Sequence, residues 1–275
     1  YKRQVWNELI IFALLKKNVM KSISELKNDA LSSLNEKWGI SIGAILVFFA
    51  ISMALSLIPL IGSLAQLILT GALSVGLAHF FLKLSKSDNV DIEDLFIAFK
   101  SKDKFLVSLS TYVLIIIIIV PIILIFGSIW VSLFVGDLNN IFNLFIAAVP
   151  DTPSLGATYQ IDPSLLNENS SPIFQSGTGT IIAAAIILIF IPLIIVSLGF
   201  SQVFFLIADD KTKSGIEALK TSWNLMNGKK TKLFLLQLSF IGWVILSILT
   251  LFIGFIFLYP YIYTTLSKFY KELYD

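Results

Sequence analysis

Long apolar runs alternate with short polar segments along most of the chain. A helix needs about 20 mostly apolar residues to cross a hydrocarbon core of about 30 Å, and this criterion predicts six spans. They cover residues 40–60, 64–82, 105–135, 180–207, 233–250 and 254–269. The last two come from one run that is too long for a single span and is divided near residues 250–254. The pattern therefore predicts an all-α fold, a polytopic transmembrane helical bundle.

Three polar segments have the apolar spacing of amphipathic helices, and each begins with a capping signal. Ser22 with Glu25 and Ser214 with Glu217 are capping boxes, in which the two side chains satisfy each other's free backbone N–H groups. Asp91 is a simpler N-cap with a second carboxylate, Asp94, in the first turn. We expect the three helices to lie in the headgroup plane, to pack on the spans, or both. The expected aromatic anchors at the interface are Trp38, Phe99 and Trp223.

The basic residues predict the orientation. No Lys or Arg occurs between Lys104 and Lys211, and with six spans all 20 basic residues fall on one side. Segments rich in Lys and Arg face the cytoplasm. We therefore expect a multi-pass protein of the cell membrane, with both termini and the amphipathic helices cytoplasmic. Residues 136–179 are expected to form an extracytoplasmic loop, and residues 1–19 an N-terminal extension before the membrane domain of residues 20–275.

The sequence also contains an internal similarity. Phe80, Phe81 and Leu82 recur at 204–206, an offset of 124 residues, and Ile92 and Glu93 recur at the same offset. The predicted unit is a span, an amphipathic helix and a second span. The two copies run in the same direction, so their pseudo-axis is expected to lie along the membrane normal.

Composition limits the chemistry of this chain. Hydrophobic residues make up 56% of it and charged residues 14%, whereas soluble proteins carry about 25% charged residues. There is no Cys and one His, which leaves little for metal binding or acid–base catalysis. We expect no catalytic residue, no metal site, no cofactor and no enzymatic activity. Membrane lipids are the expected partners, with a homo-oligomer or a membrane-protein partner also compatible, whereas scattered lysines mixed with acids do not indicate nucleic acid.

Neutral polar residues and prolines are the remaining features of the predicted spans. Gln66, Gln202 and Gln237 either tie helices together or line a polar path. Pro121 and Pro192 lie in mid-span, where each removes one backbone hydrogen bond and kinks its helix. Most such kinks are structural, although broken helices mark substrate sites in some transporters.

Scattered positions of the chain resemble a known family. They include Leu26, Lys27, Ala30, Leu34, Trp38, Gly39, 76–81, 91–99, Glu217, Ala218, 239–243, Pro260, Tyr261, Thr264, Thr265, Phe269 and Tyr270. From Met20 to about Tyr274 the chain is similar to a bacterial integral membrane family known as domain of unknown function nine hundred and seventy-five. The resemblance implies fold and topology and brings no catalytic residues. The chain departs from the family in its first 19 residues and in the length of the 136–179 loop.

Two functions stay open at this level. The first is a non-enzymatic membrane protein that organises, regulates or protects the envelope, because no catalytic or ion-coupling group is found. The alternative is a transporter or channel for a small or lipid-like solute, built on the two-copy repeat. A polar cavity reached by Gln202 or Gln237 would favour transport, and a tightly packed bundle would favour the first function.

Overall fold

Every regular element of the described structure is a helix. The computed structural model describes residues 20–59, 61–148 and 190–274, and between 129 and 148 it describes the backbone alone. The described residues up to Ile115 and from Ser197 onward form one compact unit, and those from Ile116 to Val196 belong to a second. The packing and the site described below lie in the first unit.

The helices follow one another with short connections. In chain order they begin with α1 (Ile23–Leu34), α2 (Trp38–Ser56), α3 (Ile61–Ser85), the 3₁₀-helix η1 (Ile92–Lys100) and α4 (Lys102–Ala148). After helical residues 190–200 come α5 (Val203–Ala208), α6 (Gly215–Leu225), α7 (Lys230–Leu238), α8 (Ile241–Leu249) and α9 (Phe255–Tyr274).

Five helices among the described residues are long and apolar enough to cross a membrane. The chain therefore has the helix lengths and composition of a membrane protein. The five helices are Trp38–Ser56, Ile61–Ser85, Lys102–Ser128, Phe190–Ala208 and Lys230–Leu249, and they coincide with the first five predicted spans. All of the sixth predicted span, 254–269, except Gly254 lies in α9, which is not one of the five. The last turns of α9 carry Lys268, Lys271 and Glu272.

Helix α4 extends further than its predicted span. It has 47 residues and ends at Ala148, whereas the loop was predicted to begin at Gly136. The reason is local, because no Gly or Pro occurs between Gly136 and Pro150 to end the helix. The predicted N-terminal extension, residues 149–179 of the predicted loop, and residues 180–189 of the fourth predicted span lie outside the described residues.

The three amphipathic segments form helices that begin at the predicted caps. In α1 the Ser22 hydroxyl accepts a hydrogen bond from the Glu25 N–H, and the Glu25 carboxylate accepts one from the Ser22 N–H at 2.7 Å. Asp91 and Asp94 form the same reciprocal pair at the start of η1, with the Asp91 N–H 2.9 Å from the Asp94 carboxylate. Local hydrogen bonding alone therefore fixes where these helices start.

The cap of α6 differs in one bond from the predicted capping box. The Ser214 hydroxyl accepts from the Glu217 N–H at 3.3 Å, as predicted. The Glu217 carboxylate accepts from the N–H of Lys213, one residue before the cap, at 2.9 Å.

The second amphipathic segment is a 3₁₀-helix and not an α-helix. Side chains three residues apart share one face of a 3₁₀-helix, and Ile92, Leu95 and Ala98 have this spacing. Leu95 and Ala98 are buried, and the Ile92 side chain reaches Gly43 of α2. The three-residue spacing of apolar side chains in η1 therefore matches the three residues per turn of a 3₁₀-helix.

Helices η1 and α6 each cross the preceding helix at a glycine. A Cβ atom at Gly76 of α3 would overlap the Leu95 carbonyl oxygen of η1. A Cβ atom at Gly199 would overlap the Trp223 ring of α6. In addition, η1 contacts α2 and α6 contacts α4. Both helices therefore lie across the pair of helices that precedes them.

Helix α1 packs on the last helix of the chain and so completes a ring of such contacts. The fully buried face of α1 consists of Leu26, Ala30 and Leu34, and α1 packs along α9. The Lys21 N–H donates to the Glu272 carboxylate at 3.2 Å, and the two side chains form an ion pair. The first amphipathic helix thus occupies on the last helix pair the position that η1 and α6 occupy on theirs.

Helices α3, α5 and α9 form the inside of this unit. In α3, 61% of the apolar stretch is buried, against 17% in α2 and 22% in the α7–α8 segment. Stacked rings join the inner helices, with centroid distances of 5.5 Å for Phe81 and Tyr263 and 5.6 Å for Phe205 and Tyr270. Aromatic side chains therefore fill the centre of the bundle.

We predict that Gly76→Ala lowers the free energy of unfolding by about 1–3 kcal/mol, because the added methyl group forces η1 away from α3. The measurement is thermal or denaturant unfolding of the purified chain in detergent. Gly39→Ala is the matched control, since a Cβ atom there meets nothing within 4 Å, and it should keep or raise stability. An equal decrease in the free energy of unfolding for Gly76→Ala and Gly39→Ala would contradict the close crossing of α3 and η1.

Candidate functional site

Ion pairs connect the helix ends at one end of the bundle, which we call the charged end. It comprises the starts of α2 and α4, the ends of α3, α5 and α9, and the amphipathic helices. The connecting ion pairs are Lys83 with Asp94 at 2.8 Å, Lys86 with Asp209 at 3.3 Å and Lys104 with Asp210 at 2.8 Å. Each pair joins two different helices or turns, so together they fix the relative positions of the helix ends.

The ion pair of Lys83 and Asp94 is the least exposed of these. Lys83 donates to both carboxylate oxygens of Asp94, at 2.9 and 2.8 Å, and the Asp94 side chain is 15% exposed. Burial alone would raise the pKa of Asp94. The hydrogen bonds from Lys83 and from the Asp91 N–H outweigh burial and hold the pKa below its ordinary value of 3.8.

Other lysines at the charged end bind backbone carbonyl groups. The Lys268 ammonium donates to the Ser85 carbonyl at 2.8 Å, and the Lys37 ammonium donates to the Asp88 carbonyl at 2.9 Å. Both acceptors lie in or just after the last turn of α3, where carbonyl groups lack intrahelical partners. The lysines thus cap α3 and connect it to α9 and α2.

The apolar segment Phe190–Ala208 is interrupted by a turn at Ser201 and Gln202. The Ser222 hydroxyl, from α6, donates to the Gly199 carbonyl at 2.7 Å and accepts from the Gln202 N–H at 3.3 Å. Gln202 is fully buried. Its side-chain nitrogen donates to the Ser201 hydroxyl, while its side-chain oxygen has no hydrogen-bond partner among the described residues. A side chain from an amphipathic helix therefore satisfies the backbone at this break.

A second interruption, at Ser239 and Phe240, separates α7 from α8. The Lys27 ammonium, from α1, donates to the Ser239 carbonyl at 3.2 Å and to its hydroxyl at 3.3 Å. It also lies 4.5 Å from the Phe240 ring centroid and 5.9 Å from that of Tyr261, within cation–π range. No carboxylate pairs with Lys27 in the described part of the chain, and burial lowers its pKa. Again an amphipathic helix provides a hydrogen bond at a break in a long apolar segment.

A family model described as Protein of unknown function (DUF975) matches residues 20–275. The chain belongs to the DUF975 family. No curated protein and no solved structure shows a significant match. The caps, the charged end and both breaks of this DUF975 protein lie inside the matched range.

The three glutamines singled out in the sequence lie in different environments. Gln202 is buried at the first break, Gln66 is half-buried in α3, and Gln237 is exposed on α7. The Gln66 carbonyl accepts a hydrogen bond from the Thr70 hydroxyl at 2.6 Å. Their surroundings do not indicate one common polar path through the DUF975 protein.

The two prolines lie within helical segments and not at the breaks. Pro121 is inside the continuous helix α4, and Pro192 is inside helical residues 190–200. The interruptions occur instead where Ser222 and Lys27 supply replacement hydrogen bonds.

The three aromatic residues that the sequence predicts as interfacial anchors are partly exposed in this DUF975 protein. Trp38 is half-buried and lies 6.4 Å from Phe257 between ring centroids. Phe99 and Trp223 are each 38% exposed. The Lys230 ammonium lies 3.4 Å from the Trp223 ring centroid, within cation–π range.

His79, the one histidine of the chain, lies in α3 near the charged end. Its Nδ1 lies 3.4 Å from the Ala208 carbonyl oxygen, a contact between α3 and α5. Among the described residues, no group of three or more His, Cys, Asp and Glu side chains could hold a metal ion.

Lys27 and Ser222 were not identified from the sequence as site residues. Ser222 had a detectable signal, because it lies four residues after Ala218 on the apolar stripe of α6 and is fully buried with it. Lys27 had none, since its partners lie more than 200 residues away in the chain.

We predict that Asp94→Asn lowers the free energy of unfolding by about 1–3 kcal/mol at pH 7, because Lys83 loses its charged partner. The folded state lowers the pKa of Asp94, so its contribution is present above the ordinary pKa of an aspartate and is lost as the pH falls through the lower folded value. The difference between wild type and variant should therefore shrink at about pH 3. Unfolding in detergent as a function of pH measures it.

Glu93→Gln is the matched control for Asp94→Asn. The Glu93 side chain is 80% exposed and pairs with Lys100 at 3.4 Å, and such exposed pairs contribute at most about 1 kcal/mol. A stability difference for Asp94→Asn that stays constant from pH 7 to about pH 3 would contradict the assigned role.

Proposed function

We propose that this protein crosses the cell membrane six times with its charged end in the cytoplasm, and that it organises and protects the envelope without catalysis. The observation that carries the proposal is the ring of three amphipathic helices at the charged end, above spans whose outer faces are apolar. The proposed partners are membrane lipids. Exposed apolar side chains on α2, α7 and α8 provide the lipid contacts, Met53, Leu57, Leu235, Trp243 and Leu249 among them.

Helix α9 is the proposed sixth span. It has 20 residues, about 30 Å of helix, which equals the thickness of the hydrocarbon core. Tyr270 at its end stacks on Phe205 of α5, while Lys230 at the start of α7 lies against Trp223 of α6. Both ends of the α7–α9 hairpin therefore lie at the charged end, as an even number of spans requires.

Matching local structure supports a repeat of three copies, each an amphipathic helix followed by two spans. In α1 and α6, buried positions recur at a spacing of 192 residues. The turns after the two helices also correspond, with left-handed residues Glu36 (φ 64°) and Gly228 (φ 71°) at the same spacing. The paired buried positions are Leu26 and Ala218, Ala30 and Ser222, and Leu34 and Met226.

The second copy aligns with its neighbour through caps and crossings. Gly76 and Gly199 at the two close crossings are 123 residues apart, and so are the N-caps Asp91 and Ser214. This offset is one residue shorter than the 124 residues found in the sequence. The proposed copies are α1–α3, η1 to α5, and α6–α9, each amphipathic helix lying across the preceding copy.

A non-enzymatic role is supported by how the charged groups are used. The carboxylates of Asp94, Asp209 and Asp210 bind lysines that connect helix ends. In a transporter the three glutamines would line one polar path, but they lie in different environments. We therefore do not favour the transporter alternative.

Cysteine labelling tests the topology in this Cys-free chain. We predict that an impermeant maleimide labels Thr158→Cys in intact cells, and that exposed Lys220→Cys on α6 is labelled only after permeabilisation. Tyr274→Cys, at the end of α9, should behave like Lys220→Cys if α9 spans the membrane. Labelling of Lys220→Cys in intact cells would overturn the orientation, and labelling of Tyr274→Cys alone would remove the sixth span.

Deletion and complementation test the envelope role. We expect cells that lack the protein to admit a membrane-impermeant dye at several times the normal rate after mild detergent stress. Wild type should restore the barrier, and Lys27→Gln, which frees α1 from the break at Ser239, should restore it less than the control Lys100→Gln on the surface of η1. Equal dye entry with and without the protein would rule out the proposed role.

A further inference from the structure

We propose that a groove between α4 and the start of α6 binds one anionic phospholipid, with its phosphate at Lys213 and an acyl chain along α4. The inference deepens the proposed function, on which it rests, because it names a lipid class and a site for it. Groove shape, local charge and an exposed apolar stripe each support it.

The groove has apolar walls and one exposed lysine. Its volume is about 450 Å³, and Leu106, Val107, Leu109 and Val113 of α4 line it. Lys213, just before α6, also lines it. This combination matches an amphipathic ligand, because a phosphate pairs with the ammonium group while a hydrocarbon chain covers aliphatic side chains.

A glycine brings the start of α6 close enough to α4 to form the groove. A Cβ atom at Gly215 would lie 2.9 Å from the Ser110 hydroxyl and 2.9 Å from the Thr111 backbone nitrogen. Any larger residue would push α6 away from α4 and open the groove on one side.

Lys213 is available to an anion. It is exposed, and its backbone N–H donates to Glu217, but its ammonium group has no ion pair among the described residues. By contrast, Lys83 and Lys104 near η1 are both held by carboxylates.

Positive charge is concentrated around α6. Residues 211–232 contain six Lys and one Glu, whereas residues 83–104 contain five Lys and five acids. The segment at α6 therefore carries more net positive charge than the segment at η1, and positive charge attracts anionic lipid headgroups.

An exposed apolar stripe beside these lysines places α6 at the depth of the headgroups. Ile216 is 57% and Trp223 38% exposed, and seven residues of helix put them on one face two turns apart. A helix with lysines on one side and exposed apolar side chains on the other lies in the membrane interface. Free phosphate would gain nothing from this stripe or from the aliphatic walls of the groove, so a lipid is the proposed ligand.

The test uses the purified full chain in neutral detergent and two fluorescent lipids with identical acyl chains, phosphatidylglycerol and phosphatidylcholine. We expect tighter binding of phosphatidylglycerol. Lys213→Gln should weaken that binding about fivefold and leave phosphatidylcholine binding unchanged. Val113→Phe, which fills the groove, should weaken the binding of both lipids while the protein stays monodisperse.

Matched controls distinguish a specific lipid site from general attraction of lipids to the protein surface. Lys220→Gln, the control for Lys213→Gln, removes an exposed lysine of α6 outside the groove. Leu235→Phe, the control for Val113→Phe, enlarges an exposed residue of α7. Each control should weaken lipid binding less than its counterpart. Equal weakening by Lys213→Gln and Lys220→Gln would overturn the site, and so would competition by millimolar inorganic phosphate. The binding assay does not depend on how the protein is oriented in the membrane. Intact lipid binding with a contradicted topology would overturn the proposed function alone, and a confirmed topology without lipid binding at the groove would overturn the lipid site alone.

Discussion

Inside a bilayer a backbone carbonyl or N–H group has no water to bind, so a span can be interrupted only where protein atoms replace the missing hydrogen bonds. Two of the helices that are long and apolar enough to cross a membrane are interrupted, at Ser201 and at Ser239, and in both cases the replacement comes from an amphipathic helix. Ser222 of α6 serves the first break and Lys27 of α1 the second. The amphipathic helices are therefore part of the hydrogen bonding of the spans as well as a cover over their ends.

The same helices depend on close backbone approach. At Gly76 and Gly199 the absence of a side chain lets η1 and α6 lie against the inner helices, and stacked aromatic rings then fill the space between α3, α5 and α9. Ion pairs at the charged end are individually weak when exposed. Here the ion pairs contribute to stability because they connect helices that glycine contacts and aromatic packing already hold together.

Features set by neighbouring residues could be predicted from the sequence, and features set by distant ones could not. The caps at Ser22, Asp91 and Ser214 follow from side chains within four residues, and the first five spans follow from continuous apolar runs. The 3₁₀ winding of η1 and the continuation of α4 past Gly136 were not predicted, because small differences in local backbone preference decide them. Lys27 was missed because nothing near it in the chain indicates Ser239, and of the three glutamines only Gln202 lies at a break.

The docking of α1 on α9 makes the order of synthesis matter. Helix α1 is made before every other described helix, yet the helix against which its buried face of Leu26, Ala30 and Leu34 mainly packs is α9, the last helix described. Until α9 has been made, this apolar stripe lacks the helix against which it mainly packs, and Lys27 lacks the ring of Tyr261. A ribosome that stalls before α9 thus leaves a chain with an incompletely covered apolar helix, a form that a quality-control protease can distinguish from the finished protein.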